Sequence, residues 1–129
     1  MESFLHLYSK KAMAKQNKSK VNYKVFAKKY KKKIKRASSE YHAMFKGNKY
    51  VIDVFYLTEE NEKIYIEIIV KNQLEIYRKI LDMPKENTYV LDLTKLDLNS
   101  SPKDIEVYLQ NPSRYYTLEE YIKRCSVNL

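Results

Sequence analysis

The sequence predicts a small single domain of the α/β (α+β) class. Three observations predict it: a long helical stripe of apolar residues in the first third, two aromatic and β-branched runs around a short polar stretch, and a third such run further on. An order of helix, hairpin, helix, strand and C-terminal helices is what a layered mixed domain needs.

In chain order, residues 9–20 show no apolar period and read as a mobile basic segment. The chain therefore divides into a basic N-terminal segment, 1–21, and a domain over 22–129. From Tyr23 the pattern changes. Tyr23, Phe26, Tyr30, Ile34, Ala37, Tyr41 and Met44 follow at steps of three and four, which predicts one long amphipathic helix over about 22–46. Its outer face carries Lys24, Lys28, Lys31, Lys32, Lys35 and Arg36, and Gly47 stands where a C-terminal cap belongs.

Residues 50–57 and 64–70, separated by Thr58-Glu-Glu-Asn-Glu-Lys63, read as a β-hairpin. Pairing Leu57 with Lys63 sets Tyr50, Ile52, Val54 and Tyr56 against Val70, Ile68, Ile66 and Ile64 on one apolar face. A slip of one residue would scramble both faces. The same register places Asp53 opposite Glu67. Residues 73–82 read as a short helix, with Leu74, Tyr77 and Leu81 inward, Arg78 and Lys79 beside them, and Pro84 closing it. Thr88–Leu93 is a third strand. The tail holds a helix near 103–110, a turn at Asn111-Pro112-Ser113 and a last helix from Thr117, which has capping-box spacing with Glu120.

Composition narrows the function. The chain has 129 residues, the size of one domain, and 44% hydrophobic residues, enough for a packed core. A single glycine excludes a Gly-rich phosphate loop. The lone Cys125 excludes a disulfide framework and a CxxC zinc site, fits a reducing, cytoplasmic compartment, and reads as a small core or surface residue. No apolar run approaches the ~20 residues that cross a bilayer, and the first residues do not form a secretory signal. His6 and His42 lie far apart with no cysteine partner and read as ordinary polar residues. The net charge of +9 is uneven: residues 1–49 hold 15 Lys and Arg against two acids. Such clustering points to a nucleic-acid backbone as partner, the plainer reading being a solvated Lys-rich helix. Tyr23 and Tyr30, at helical spacing, read as core rather than as base-stacking rings.

Two carboxylates facing one another across a hairpin repel by up to about 1 kcal/mol. Asp53 and Glu67 therefore need a cation between them, a basic partner such as Lys71 or Arg78, or an open, wet sheet face. A divalent metal with oxygen ligands is the first option.

The segments Tyr50-Val-Ile-Asp53-Val and Ile64-Tyr-Ile-Glu67-Ile-Ile-Val-Lys71 resemble the core of the PD-(D/E)xK restriction-endonuclease-like superfamily, above all its competence-protein-like branch. Residues 38–46, with Glu40 and His42, resemble the helix that precedes that core. Lys79 resembles a lysine of the following helix, and Tyr89-Val-Leu-Asp-Leu-Thr94 resembles the third strand. The similarity covers roughly residues 37–95. Ile69 stands where the superfamily carries its lysine, and Ile52 where it often carries proline; Lys71 or Lys79 would take the lysine's role.

The resemblance implies a restriction-endonuclease-like fold and a Mg²⁺- or Mn²⁺-dependent nuclease acting on DNA or RNA. Asp53 and Glu67 would hold the metal, Glu40, Lys71 and Lys79 would serve the chemistry, and a homodimer is one implied assembly. Two rival readings are a nucleic-acid-binding derivative that no longer cuts, and an interaction protein of a phage or mobile element.

Overall fold

A computed structural model describes residues 2–14, 22–71 and 79–127 of the chain. In order these form α1 (Phe4–Ala14), α2 (Asn22–Tyr30), β1 (Ile34–Phe45), β2 (Asn48–Thr58), β3 (Lys63–Ile69), β4 (Thr88–Asp92), α3 (Pro102–Leu109), a 3₁₀ turn (Pro112–Arg114), β5 (Tyr115–Thr117) and α4 (Leu118–Val127). Residues 79–82 are helical as well. The five strands make one mixed sheet in the order β1-β2-β3-β4-β5. All neighbours are antiparallel except β3 and β4, which run parallel. The architecture is mixed α+β, as the sequence predicts. Among the described residues no helix is long and apolar enough to cross a membrane.

Burial divides between the two faces of the sheet. On one, Leu5 and Met13 of α1, Phe26 of α2 and Ile105 and Leu109 of α3 pack on Val54, Tyr56, Ile64, Ile66 and Leu91. On the other, Leu118, Tyr121 and Cys125 of α4 cover Ile69 and Val90, while Ile52, Phe55, Tyr65 and Met83 form a neighbouring cluster. Cys125 is thus a core residue. Tyr30 is a core ring too, its centroid 4.5 Å from that of Tyr89.

The long helix expected over 22–46 is corrected. The helix ends at Tyr30, Lys31 takes a left-handed φ of 55°, and the chain becomes β1. Along this strand Ala37 packs toward α1, while Tyr41, Ala43 and Phe45 pack on the opposite face with Ile52 and Phe55, the change falling at the left-handed Glu40. The strand period is broken at Glu40, so Ala37 and Tyr41, four apart on the helical stripe, fall on opposite faces. Ala43 and Phe45, which lie off the helical stripe but pack inward, and Met44, which lies on it but is exposed, separate the two readings. Gly47 is not a helix cap. Lys46 (φ 50°) and Gly47 (φ 79°) are the two left-handed residues of a tight turn that joins β1 to β2, with Phe45 paired to Asn48. Glu40 and His42 accordingly sit on a strand, where the resemblance expects a helix.

The mobile segment expected over 9–20 is also corrected at residues 9–14, which belong to α1. Leu5, Ala12 and Met13 are buried, and Ser9 and Lys10 are buried beside them, which is why no apolar period marked the helix. Residues 15–20 of the expected mobile segment lie outside the described residues.

The hairpin register holds: Val54 pairs with Ile66, Tyr56 with Ile64 and Leu57 with Lys63. The single apolar face does not, because Ile52 packs with Phe55 and Tyr65 while Val54 and Tyr56 pack toward α1. The inward side switches at Asp53. Of the helix expected over 73–82, residues 79–82 are described and helical; Leu81 faces outward, 51% exposed, while Ile80 and Met83 are buried. Leu74, Tyr77 and Arg78 lie outside the described residues. The third predicted strand is β4, and α3, the turn and α4 stand where expected. Thr117 and Glu120 exchange backbone-to-side-chain bonds of 2.8 and 3.1 Å. The three-residue β5 carries no sequence signal of its own.

A Cβ at position 47 would meet nothing within 4 Å, so a substitution there meets only the cost of its left-handed backbone. Gly47→Ala is expected to lower unfolding stability by about 1–2 kcal/mol, and Gly47→Asn by less, because Asn enters this region more readily. Urea denaturation of the three proteins checks this; equal midpoints for parent and alanine variant would contradict the turn.

Candidate functional site

Glu67 lies on β3 in the middle of the sheet and is only 1% exposed. A carboxylate there cannot be left without partners. Its Oε2 accepts the Asp53 N–H at 3.0 Å, and the Lys79 ammonium pairs with Oε1. Asp53 answers from β2, its Oδ2 accepting the Ile68 N–H at 2.8 Å. Side chain-to-backbone bonds thus run in both directions between the strands beyond the pairing of Val54 with Ile66. This is where the inward side of β2 switches.

A second layer comes from α1. Glu2, just before it, and His6 and Lys10 within it recur every fourth residue, the spacing of one helical face. His6 Nε2 lies 3.1 Å from Asp53 Oδ2, and its Nδ1 bonds Glu2. Lys10 is buried between Glu2 and Glu40, with 2.9 Å to the Glu40 carboxylate. Glu40 takes a left-handed φ of 54° within β1. Lys79 is set by its own turn: its ammonium donates to the Val51 carbonyl, and Asp82 accepts from Tyr50 Oη and, at 3.1 Å, from Asn48 Nδ2.

The electrostatics follow from this layout. Burial, and then the Asp53 charge, push the Glu67 carboxyl up to about 8 against the pull of Lys79. Burial also opposes ionisation of Asp53, but the His6 hydrogen bond and charge outweigh it and hold the group below its ordinary value. His6 is the mirror case: burial disfavours its charge, and Asp53 and Glu2 raise it nonetheless. Among the described residues four carboxyl groups face two ammonium groups and one imidazole, and the raised Glu67 carboxyl, which keeps its proton below about 8, brings the charges toward balance.

Of the residues expected from sequence, Asp53, Glu67 and Lys79 come together. Glu40 reaches the cluster through Lys10 and not by touching Glu67. Lys71 is exposed, past the end of β3. Arg78 lies outside the described residues. The lysines assigned to one helical face are spread over two elements: Lys24 and Lys28 on α2, then Lys31, Lys35 and Arg36 on the turn and β1, all exposed. Lys32 pairs with Glu62 at 2.7 Å. Sequence reasoning missed Glu2, His6 and Lys10. Their fourfold spacing was the available signal, masked by reading the segment as lacking a helix.

A divalent metal would find hard oxygen donors in Asp53 and Glu67, in exchange for the proton that Glu67 holds below about 8. No three metal-ligating side chains converge among the described residues. The protein would therefore supply two carboxylates and leave the other positions to backbone and water, a set that suits Mg²⁺, which keeps several of its waters. The chain matches no protein-family model, no curated protein and no solved structure.

The pKa directions set the pH dependence of stability. Glu67 and His6 both bind a proton more tightly in the folded chain, so each contributes stability at low pH that is lost as pH rises. For Glu67 the loss spans its ordinary value of 4.5 to about 8, and His6 adds to it above its ordinary 6.5. Asp53, held low, acts the other way, and only below its ordinary 3.8. The melting temperature is expected to fall between about pH 5 and pH 8. Glu67→Gln should flatten that slope and raise stability at pH 8 by about 1 kcal/mol or more, about 3–6 °C in a domain of this size. Thermal melts of both proteins across this range check it, and parallel curves would contradict the buried carboxyl's role.

Proposed function

We propose that the protein is a metal-dependent, nuclease-like protein of the restriction-endonuclease-like fold that binds nucleic acid and hydrolyses phosphodiester bonds of DNA or RNA at Asp53, Glu67 and Lys79. One observation carries this reading. Lys79, from the segment after β3, reaches the buried Glu67 carboxylate beside Asp53, so the acid, acid and lysine set is assembled although Ile69 holds the usual lysine position. The element order of hairpin, crossover and parallel strand supports the same reading.

In this reading Asp53 and Glu67 hold Mg²⁺ or Mn²⁺, which when bound supplies an activated water and offsets charge on the phosphate. The Ile68 and Asp53 N–H groups fix the orientation of the two carboxylates, and His6 steadies Asp53 from the helix side. The Lys79 ammonium adds positive charge where negative charge develops on the phosphate oxygens. Exposed Lys24, Lys28, Lys31, Lys35 and Arg36 attract the backbone of the nucleic acid.

A second reading is favoured by a different observation: each carboxylate already has a basic partner, His6 for Asp53 and Lys79 for Glu67. A chain in which those pairs are permanent would bind nucleic acid, or a phage or mobile-element partner, without cutting.

An assay with Mg²⁺ or Mn²⁺ against single- and double-stranded DNA and RNA separates the two. Cleavage by the parent is expected to disappear in Asp53→Ala and Glu67→Ala, and to drop by about 10²–10³ in Lys79→Ala. Mg²⁺ should raise the melting temperature of the parent and not of either carboxylate variant, since a ligand stabilises only the state that binds it. Absence of both cleavage and the Mg²⁺ shift would overturn the nuclease reading and leave the second. Under either reading, if six to ten phosphates are neutralised, affinity should fall by about 10³–10⁵ between 50 and 200 mM salt, and a flat titration would overturn nucleic-acid binding.

A further inference from the structure

A groove of about 450 Å³ opens on the sheet between β1, β2 and β3, remote in character from the carboxylate cluster. Phe55 forms part of it, and because Phe55 lies between Val54 and Tyr56, which pack toward α1, the groove is on the face turned away from that helix. Its floor is aromatic and aliphatic. The ring centroids of Tyr41 and Phe55 stack 3.9 Å apart, 9° from parallel, and Leu57 and Ser38, the latter paired with Phe55, flank them. Phe55 is buried and Tyr41 is the partly exposed outer ring of the stack.

The rim is cationic. Arg36 and Lys63 line the groove, both are exposed, and no acid lines it among the described residues. Neither makes an ion pair with another described residue, in contrast to Lys32, which Glu62 neutralises. The combination has a definite chemistry. A flat ring on an aromatic floor, with a phosphate two cations can reach, describes one nucleotide of a strand whose base is free to leave its stack. A duplex offers phosphates but keeps its bases inside, so it can use the rim and not the floor.

We infer that this groove binds a nucleotide of single-stranded nucleic acid, its base laid on Tyr41 and its phosphate met by Arg36 and Lys63. The inference rests on the nucleic-acid reading above and names the form of nucleic acid. It is independent of cleavage, since none of the groove residues belongs to the carboxylate cluster. β1 is the edge of the sheet, so a strand anchored here can continue round that edge toward the opposite face.

The test is fluorescence anisotropy with the full chain in EDTA, using a labelled oligothymidylate of about fifteen nucleotides and a duplex of equal length. Tyr41→Ala is expected to weaken single-strand binding by about tenfold and to leave duplex binding within about twofold. Tyr41→Phe should bind as the parent does. Arg36→Gln should weaken single-strand binding and lower the slope of log affinity against log salt by about one. Arg36 is exposed, so that variant decides the matter even if Tyr41→Ala fails to fold. Single-strand affinity unchanged in both Tyr41→Ala and Arg36→Gln would overturn the groove while the parent's own binding, and its cleavage with Mg²⁺, still stood. A parent that binds neither probe would overturn the groove and the nucleic-acid reading together. Loss of binding in the groove variants of a parent that never cleaves would support the groove and remove only the nuclease.

Discussion

A carboxylate in the middle of a β-sheet has no water to turn to, and Glu67 is such a group. Burying a charge is costly unless it is paired and hydrogen-bonded, and the strands around Glu67 are arranged to meet that demand. Asp53 gives up its place in the backbone ladder to present its N–H to the Glu67 carboxylate, and Lys79 supplies the counter-charge. Asp53, now a second charge in a confined space, draws on the Ile68 N–H and on His6. The demand of one side chain spreads in this way across β2, β3, the 79–82 turn and α1.

The same constraint shapes the packing. Because β2 turns its inward side over at Asp53, residues on either side of that point serve different cores, Val54 toward α1 and Ile52 toward Met83. α1 has two duties as a result: Leu5 and Met13 fill the core, while Glu2, His6 and Lys10 cover the polar seam. Tyr56 joins the two, its hydroxyl donating to the Met13 carbonyl at 2.7 Å. Packing and polar site are therefore not separable in this fold, and a change in either is felt by the other.

Much of this was legible in the residues, and the failures have identifiable causes. The register of β2 against β3 could be read by setting Tyr50, Ile52, Val54 and Tyr56 against Val70, Ile68, Ile66 and Ile64. It holds from the pairing of Leu57 with Lys63 to that of Val54 with Ile66, and Asp53 meets Glu67 just beyond, through its N–H. The reversal at Asp53 could not be read, since period-two reasoning assumes an unbroken ladder, and here side chains replace it. β1 reads as helix because no position along it is fully buried and its inward side changes at Glu40, which breaks the period of two that marks a strand. α1 was missed because its buried face includes Ser9 and Lys10, and the burial of Lys10 depends on Glu40, thirty residues away in sequence. Polar seams closed by long-range partners leave little trace in local pattern.

The left-handed Glu40 has a consequence of another kind. β1 is a twelve-residue strand at the open edge of the sheet, which is the geometry that invites a second chain to add a strand and begin a fibril. At its other edge the sheet ends in β5, only three residues long, which offers little to pair with. β1 has no such protection from length. Instead its backbone is interrupted twice, by the register shift between Ile34 and Arg36 and by the φ of 54° at Glu40, and Lys35 and Arg36 add like charge between copies. A partner strand can follow it only over short stretches before its hydrogen bonds fall out of step. The residue that answers Lys10 across the polar seam thus also guards the molecule against sticking to itself along its longest exposed edge.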